Sequence, residues 1–193
     1  MIRPILAYGN PMLKQKCSEI PAHDPEVATI IADMWETMDN ADGCGLAAPQ
    51  IGLPFRLFVV DSRSTFEALG PQERKLYFED GDDGIREVFI NARIIERSEP
   101  MWEDDEGCLS IPGLSRPIKR HWTISIEYSD EKFQRKVKRF SGSTARMIQH
   151  EFDHTEGVLY LDYLASLSRR MIERKLQNIA RGLINPKYPM KFV

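Results

Sequence analysis

Hydrophobic residues recur at helical spacing after Asp24, where the sequence reads "DPEVATIIADMWETMDNAD". Asp24 and Pro25 are residue types that open helices, since an N-cap acceptor is followed by a proline at the first helical position. Six apolar residues then repeat every three or four positions and share one helix face: Val27, Ile30, Ile31, Met34, Trp35 and Met38. The pattern predicts an amphipathic helix that begins at Asp24.

Four other runs alternate between apolar and polar positions or are rich in β-branched and aromatic residues, which is typical of strands. They cover residues 55–61, 86–95, 122–128 and 133–140. The sequence "SDEK" between the last two runs predicts a hairpin turn. Residues 62–84 contain a Gly-Pro pair and an acidic run and predict a long loop, and the proline-punctuated residues 1–24 predict an irregular segment.

Two more helices are predicted near the carboxyl terminus, one over residues 143–156 and one from about Leu164. No repeat, low-complexity segment or domain boundary interrupts the chain, so residues 1–193 are predicted to form a single domain. The fold class is α+β. Short mixed or antiparallel strands are expected to pack around the helix over residues 143–156, with the further helix at the carboxyl terminus.

The composition is that of an ordinary soluble protein, with 42% hydrophobic and 28% charged residues among 193. A formal net charge of -3 gives no overall argument for binding DNA. The first residues contain no apolar run long enough to predict a signal peptide, and no run of about 18 apolar residues occurs, so no membrane association is expected. Its three unmatched cysteines are typical of a reducing cytoplasm.

The stretch "QHEFDH" (149–154) carries the first candidate chemistry. His150 and His154 lie one helical turn apart on the same face and could bind one metal ion, with Glu151 beside them to act on a water molecule. A catalytic site of this kind needs a third protein ligand. Cys108, in the bend "DDEGCLSIPG", is a candidate, although a buried structural thiol remains an alternative on the residues alone.

The remaining histidines and one other cysteine are expected to be structural or exposed. His23 lies in a polar loop and His121 at a strand entrance, so neither is predicted to bind a metal. Cys17, in the irregular amino-terminal segment, is predicted to be a half-buried thiol. The third cysteine, Cys44, lies in "GCGLAAPQIG" (43–52), which could be no more than a tight turn around its glycines and proline.

Taken together, "GCGLAAPQIG", "EGCLS" (106–110) and "QHEFDH" resemble the signature motifs of the peptide deformylase family. The resemblance covers roughly residues 4–165 and is specific because the three motifs occur in the family's order and at familiar separations. Members of this family remove the formyl group from the initiator methionine of nascent polypeptides and release formate. The resemblance therefore implies a metal-dependent hydrolase that acts on N-formylmethionyl peptides.

The resemblance also assigns residues to roles. The implied metal ligands are Cys108, His150 and His154. They would hold one divalent ion, Fe²⁺ in the cell, with Zn²⁺, Ni²⁺ or Co²⁺ possible in purified protein. The implied catalytic residues are Glu151 as the proton shuttle, and the Gln50 side chain with the Leu109 backbone N–H as oxyanion donors. The implied substrate-binding residues are Gly43, Cys44 and Gly45.

Other positions match or depart from the family pattern. Glu106 and Arg120 resemble a family pair whose salt bridge fixes the cysteine loop. Cys44, Thr155 and Ala92 stand where the family commonly has other residues, and they change the expected shape of the pocket but not the reaction. Two functions of other classes stay open: a zinc peptidase, and a non-catalytic metal-binding module in which Cys44 would be the fourth ligand.

The carboxyl-terminal tail from Leu164 carries seven basic residues and one acid, a formal charge of +6. One interpretation is a solvated helix whose Leu167, Met171 and Ile172 pack on the body of the protein. The other is a contact with the ribosome, which the family resemblance suggests and which phosphate contacts would strengthen. The ending "NPKYPMKFV" differs from the short tails expected in the family.

Overall fold

A computed structural model describes residues 1–22 and 24–193, and His23, expected to be structural or exposed, lies outside the described residues. The strands and helices in chain order are β1 (Ile5–Leu6), α1 (Val27–Asn40), β2 (Gly45–Ala47), β3 (Leu57–Asp61), α2 (Ser62–Ala68), α3 (Pro71–Tyr77), β4 (Arg86–Arg97), β5 (Met101–Cys108), β6 (Ile111–His121), β7 (Thr123–Ser129), β8 (Arg135–Ser141), α4 (Gly142–Thr155), α5 (Ser166–Ala180) and β9 (Met190–Lys191). Short 3-10 helices lie at Pro11–Lys14, Ala48–Ile51 and Tyr160–Tyr163.

The main sheet is antiparallel and has the strand order β2-β3-β4-β7-β8. The four predicted strands correspond to β3, β4, β7 and β8, and the predicted hairpin turn joins β7 to β8, where Ser129 pairs with Arg135. Strand β2 lies at one edge of this sheet and pairs only with β3 within the described part of the chain. The described residues therefore form a mixed α/β arrangement with five α-helices, two antiparallel sheets and a two-stranded parallel pair of β1 and β9.

Helix α1 begins later than the sequence predicts. Asp24 uses its side chain in a turn, in which Oδ1 accepts a hydrogen bond from the Glu26 backbone N–H over 2.9 Å. The first helical residue is Val27, and no side chain caps this end of the helix. Five of the six residues on the predicted apolar face are buried and the sixth, Trp35, is half-buried: Val27, Ile30, Ile31, Met34 and Met38.

The prediction of a long loop over residues 62–84 is wrong, because helices α2 and α3 occupy much of it. The Asp61 side chain caps α2 by accepting a hydrogen bond from the Ser64 N–H over 3.0 Å. Gly70 and Pro71, taken as loop residues, are the N-cap and first residue of α3. A proline after a turn residue starts a helix as readily as it marks a loop.

A second two-stranded sheet, the β5–β6 hairpin, was not predicted from the sequence. Its strands are rich in charged residues, and in β5 only Glu106 is fully buried. A strand without an apolar face gives no alternating hydrophobic signal. Strand β1 also lies in the segment predicted to be irregular, and it pairs in parallel with β9 from the carboxyl terminus.

Helix α4 packs directly on the main sheet. Its Ala145 and Ile148 are fully buried in one cluster with Phe58 of β3 and Phe89 of β4. Helix α5 packs on the β5–β6 side through Ile172, Leu176 and Ile179. No helix among the described residues is long and apolar enough to cross a membrane.

The predicted packing face of α5 is partly wrong. Ile172 is buried as expected, but the side chains of Leu167 and Met171 are 72% and 80% exposed. The sequence window from Leu167 to Ile172 covers only the first turns of the helix, whereas the buried face continues to Ile179. The apolar residues at the start of α5 therefore face outward beside the basic residues.

Candidate active site

Two elements bring the three predicted metal ligands together. Helix α4 presents His150 and His154 one turn apart, with ring centroids 5.0 Å from each other. Cys108 ends strand β5, and its Sγ lies 3.3 Å from Nε2 of His154. One ligand atom from each of these three residues lies within 4.8 Å of the other two, which is suitable for a shared ion. Among the described residues, this is the one group of three or more such side chains that could hold a metal ion.

Neighbouring groups fix the orientation of His150. Its Nδ1 lies 3.0 Å from the Glu106 carboxylate, so the ring donates there and directs Nε2 toward Cys108 and His154. The Tyr160 ring stacks on the same imidazole, with centroids 6.1 Å apart. Burial lowers the pKa of His150, but hydrogen bonds to Cys108 and Glu106 outweigh it and raise the pKa well above its usual value.

His154 has the opposite environment. It is buried, and its Nδ1 has no hydrogen-bond partner among the described residues. Burial, with the positive charges of His150 and Arg120, holds the pKa of His154 well below its usual value. The neutral imidazole is the form that binds metals.

Glu106 connects strand β5, which carries Cys108, to helix α4, which carries His150 and His154. Its carboxylate accepts hydrogen bonds from Arg120 of β6 at 2.8 and 2.9 Å and from Arg146 of α4 at 2.6 Å. The predicted Glu106–Arg120 salt bridge is confirmed by this geometry. Burial alone would raise the pKa of the Glu106 carboxyl, but hydrogen bonds from Arg120 and His150 hold it well below its usual range.

Glu151 points into the cleft beside strand β2. It is buried, and its Oε2 has no hydrogen-bond partner among the described residues. A β-carbon on Gly45 would lie 2.5 Å from Oε1 of Glu151, so a glycine is required for this carboxylate to lie where it does. Burial raises the pKa of Glu151 to about 7, with the positive charge of His150 opposing the shift and Glu106 adding to it.

Gln50 lies in the 3-10 helix that follows β2, and its amide has a defined orientation. Oε1 accepts a hydrogen bond from the Ala47 backbone N–H over 2.8 Å. The amide nitrogen Nε2 therefore faces the other way, 3.3 Å from Ser110 Oγ and 3.6 Å from Cys108 Sγ. The side chain is almost completely buried, with 1% of its surface exposed, and presents an N–H donor at the cysteine.

Five of these residues line a cleft of about 940 Å³, whereas His154 is not part of its wall: Gln50, Glu106, Cys108, His150 and Glu151. The predicted substrate-binding residues Gly43, Cys44 and Gly45 form part of its wall, together with Leu109 of the cysteine turn. Cys44 is exposed and does not belong to the group of potential metal ligands. This geometry does not favour a closed structural metal site with Cys44 as the fourth ligand.

Other histidine, cysteine and carboxylate side chains near the site lie outside this group of potential metal ligands. His121 is half-buried, and its Nδ1 donates to the Ser98 carbonyl over 2.6 Å. Cys17 is more buried than expected, and burial raises the pKa of its thiol to about 11. Asp153 pairs with Arg120, and Glu156 pairs with Arg56 and Lys16. They are partners of nearby cations and not metal ligands.

Sequence reasoning missed three contributors to the site. Arg146 is buried and lines the cleft one turn before His150 on α4, a position that the four-residue spacing could have indicated. Tyr160 stacks on His150 from the segment after α4. Residues 185–188 of the carboxyl-terminal tail also line the cleft, and no local pattern indicates that the tail returns there.

A Cys–His–His group borders a cleft that also contains an unpaired buried carboxylate and an oriented amide donor. These are the features of a hydrolytic enzyme site, since each supplies a group that bond hydrolysis requires. The fold and the site together therefore define a hydrolase.

Comparison with known proteins is consistent with this class. A sequence model of the polypeptide deformylase family matches residues 2–170. The chain is 46% identical to the peptide deformylase of Christiangramia forsetii over 100% of this chain and 96% of that protein. It is 43% identical to the peptide deformylase of Cytophaga hutchinsonii over 100% and 98% of the two chains.

Solved structures give the same result. A plant peptide deformylase, PDF1B, superposes with a TM-score of 0.79 at 30% identity over 94% of this chain and 90% of that one. The peptide deformylase from Legionella pneumophila superposes with a TM-score of 0.78 at 32% identity over 95% and 98% of the chains. The chain belongs to the peptide deformylase family, and it is an enzyme of this class.

Proposed function

We propose that this enzyme hydrolyses the formamide of N-formylmethionyl nascent polypeptides and releases formate. Water adds to the formyl carbon, the carbon–nitrogen bond breaks, and the methionine amine leaves with the proton it needs. The observation that carries the proposal is that Cys108, His150 and His154 form one group of potential ligands beside the unpaired Glu151 carboxylate. Cys108, His150 and Glu151 line the same cleft. A zinc peptidase would share the histidines and glutamate but would not normally use a cysteine ligand.

Cys108, His150 and His154 would hold one divalent ion. A thiolate and two imidazoles suit several transition metals, and affinity alone favours Zn²⁺ over Fe²⁺. Membership of the family supports Fe²⁺ as the ion in the cell, with Ni²⁺, Co²⁺ or Zn²⁺ as substitutes in purified protein. When bound, the ion acts as a Lewis acid on water and on the formyl carbonyl.

Glu151 would move the proton. Its buried carboxylate has a free oxygen directed into the cleft and a pKa raised by burial to about 7. A group with a pKa near the working pH can accept a proton from water and later give one to the departing amine. The unpaired Oε2 therefore supports the assignment of Glu151 as general base and then general acid.

Gln50 and Leu109 would stabilise the oxyanion that develops on the formyl oxygen. The Gln50 amide is held with Nε2 beside the Cys108 sulfur, and Leu109 follows Cys108 directly. Both donors therefore lie at the residue that would bind the ion. Loss of one such donor typically costs about 10²–10³ in kcat.

The substrate would lie along Gly43, Cys44 and Gly45. Strand β2 is an edge strand of the main sheet, so one side of its backbone has no strand partner within the described residues. An extended peptide can add to such an edge through main-chain hydrogen bonds. The exposed Cys44 side chain then lies at the rim of the pocket for methionine, whose flexible thioether suits an apolar wall.

Substrate discrimination tests the proposal. The metal-loaded enzyme is incubated with formyl-Met-Ala-Ser, with acetyl-Met-Ala-Ser and with Met-Ala-Ser, and the products are separated by mass. We expect loss of the formyl group alone, with the peptide bonds intact. Cleavage of the free peptide would instead support the peptidase, and no reaction with any of the three would refute a hydrolase that acts on peptides.

We also propose that this enzyme contacts the ribosome through α5. Four basic residues of α5 and its C-cap are exposed and form no ion pair within the described part of the chain: Arg170, Arg174, Lys175 and Arg181. The exposed Leu167 and Met171 lie among them. Such a surface suits ribosomal RNA, because each phosphate contact releases counterions.

Reversing the charge of exposed basic residues tests the ribosome contact and leaves the buried residues of α5 in place. A chain that ends at Leu164 would lose the buried Ile172, Leu176 and Ile179, so point substitutions are preferable. We expect Arg170→Glu/Arg174→Glu/Lys175→Glu to lose salt-sensitive co-sedimentation with ribosomes while peptide deformylation is kept. The matched control is Lys75→Glu/Lys119→Glu/Lys132→Glu, which reverses three exposed lysines elsewhere. Equal co-sedimentation of both variants would refute this contact.

The same packing of α5 supports the proposal that residues 1–193 form one domain, since its buried residues share a cluster with Leu6 and Leu13 of the amino-terminal segment.

The three free cysteines support a cytoplasmic location for the reaction.

A further inference from the structure

The carboxyl-terminal segment turns back to the active-site cleft after α5. Strand β9 pairs in parallel with β1, and the flanking residues extend this pairing. The Ile5 N–H donates to the Pro189 carbonyl and the Ala7 N–H to the Lys191 carbonyl, both over 2.9 Å. The segment just before β9 is thereby held at the cleft, which residues 185–188 help to line.

Tyr188 is the residue of this segment that reaches the site. Its hydroxyl donates a hydrogen bond to the Leu109 backbone carbonyl over 2.7 Å. The ring is half-buried and packs against the core cluster that contains Met38 and Leu46. Pro189 follows Tyr188 directly and restricts the Tyr188 backbone to an extended conformation. Both the packing of the ring and the restricted backbone therefore fix the position of the hydroxyl.

Leu109 is therefore fixed on both sides. On its amino side, Cys108 pairs with Ile111 across the hairpin turn. On its carbonyl side, the Tyr188 hydroxyl holds the oxygen. A turn residue held at one end only can rotate about its backbone dihedrals, and that rotation would change the direction of its N–H. Oxyanion donors are effective only when they are already aimed at the developing charge.

We propose that Tyr188 is a positioning residue for deformylation, which holds the Leu109 backbone so that its N–H faces the oxyanion. This inference rests on the proposed function, because it takes Leu109 as an oxyanion donor. The segment after α5 then contributes to catalysis at the substrate cleft, and this contribution is separate from any contact of α5 with the ribosome.

The effect of the hydroxyl should appear in kcat and not in KM. The oxyanion exists only in the transition state, so a poorly aimed donor weakens transition-state binding and leaves substrate binding unchanged. Removal of a donor outright costs about 10²–10³ in kcat. A donor that is present but loosely held should cost less, on the order of 10-fold.

The test compares Tyr188→Phe with wild-type enzyme and with Tyr8→Phe. Tyr8 is a half-buried tyrosine whose hydroxyl contacts Arg169, so its loss controls for removal of a phenol oxygen from the same side of the protein. For each protein, kcat and KM for formyl-Met-Ala-Ser, bound metal per chain and Tm are measured. We expect kcat to fall about 10-fold in Tyr188→Phe alone, with KM, metal content and Tm unchanged.

Two outcomes would overturn the inference. Full kcat in Tyr188→Phe would show that the hydroxyl has no role in the reaction. A fall in kcat that matches a loss of metal or of Tm would assign the hydroxyl to folding. A second variant, Tyr188→Ala, removes the ring that lines the cleft as well as the hydroxyl. It should therefore raise KM in addition to lowering kcat. Failure of the wild-type enzyme to release formate would refute the proposed function itself, which is a separate result.

Discussion

The Glu106 carboxylate and Nδ1 of His150 lie 3.0 Å apart, and this contact connects the charged interior of the protein to the proposed metal site. Glu106 is almost fully buried and also holds Arg120 and Arg146. A carboxylate behind a histidine ligand fixes the ring and strengthens it as a ligand. Strand β5, which carries the cysteine, is thereby coupled to helix α4, which carries both histidines.

Glu106→Gln should therefore weaken the metal site and the fold together. We expect metal affinity to fall about 10–100-fold, because the ring of His150 loses its charged partner. The free energy of unfolding should fall by about 3–5 kcal/mol, since the buried Arg146 loses its carboxylate partner and Arg120 keeps only Asp153. Competition with a chelator and chemical denaturation measure the two quantities. Glu103→Gln, on the exposed side of the same strand, is the control, and equal behaviour of the two variants would contradict the coupling.

Gly45→Ala should abolish most of the activity without removing the metal. The new β-carbon would lie 2.5 Å from Oε1 of Glu151, so the carboxylate has to move away from its position in the cleft. We expect kcat to fall at least about 10²-fold, comparable to loss of the acid–base group. Gly70→Ala is the control, because its β-carbon would make ordinary contact at 3.4 Å. Normal turnover in Gly45→Ala would show that Glu151 does not work from this position.

Cys108→Ser should lower metal binding or change which metal supports activity. A neutral hydroxyl is a far poorer ligand than a thiolate for Fe²⁺ or Zn²⁺. The measurement is metal content per chain after dialysis, followed by activity with each added ion. Full occupancy together with full activity in Cys108→Ser would remove this residue from the ligand set. Cys17→Ser, at a buried thiol away from the cleft, is the matched control.

Asp61 should make the fold sensitive to acid, because it is buried and pairs with Arg86 at 2.5 Å. Burial alone would raise the pKa of Asp61, but hydrogen bonds from Ser64 and Arg86 outweigh it and lower the pKa. A lowered folded-state pKa contributes stability that is present above the unfolded value of about 3.9 and is lost as pH falls through the folded value.

Asp61→Asn should therefore cost about 1 kcal/mol of unfolding free energy at pH 7, and this difference should shrink below about pH 4. Denaturation curves between pH 7 and pH 2.5 measure it. Asp39→Asn is the control, because Asp39 pairs with the same Arg86 from an exposed position. A difference between Asp61→Asn and wild type that stays constant over the whole pH range would contradict the lowered pKa.

Much of the site could be predicted from the sequence, because it depends on local motifs. Spacing placed His150 and His154 on one helical turn, and the family resemblance selected Cys108 from three cysteines. The structure brings these three residues together. Strands β3, β4, β7 and β8 of the main sheet were predictable because their residues alternate or are rich in β-branched and aromatic types. Strand β2 and the charged β5–β6 hairpin gave no such pattern.

The tail could not be predicted for a different reason. Strands β1 and β9 are two residues long and come from opposite ends of the chain. Only tertiary pairing forms them, and it brings Tyr188 to Leu109, 79 positions away in the sequence. The basic charge of the tail suggested only a surface role. Its contact with the cleft depends on where the chain returns after α5, and no local spacing encodes that.

The most direct test of the proposed function is formate release from formyl-Met-Ala-Ser under anaerobic conditions with added Fe²⁺ or Ni²⁺, measured for wild type and Glu151→Gln side by side. The glutamine keeps the size of the side chain and removes the base, so we expect one metal ion per chain in both proteins. Wild type should release one formate per peptide, and Glu151→Gln should be slower by about 10²-fold or more. No formate from the metal-loaded wild type, or near-normal turnover in Glu151→Gln, would contradict the account.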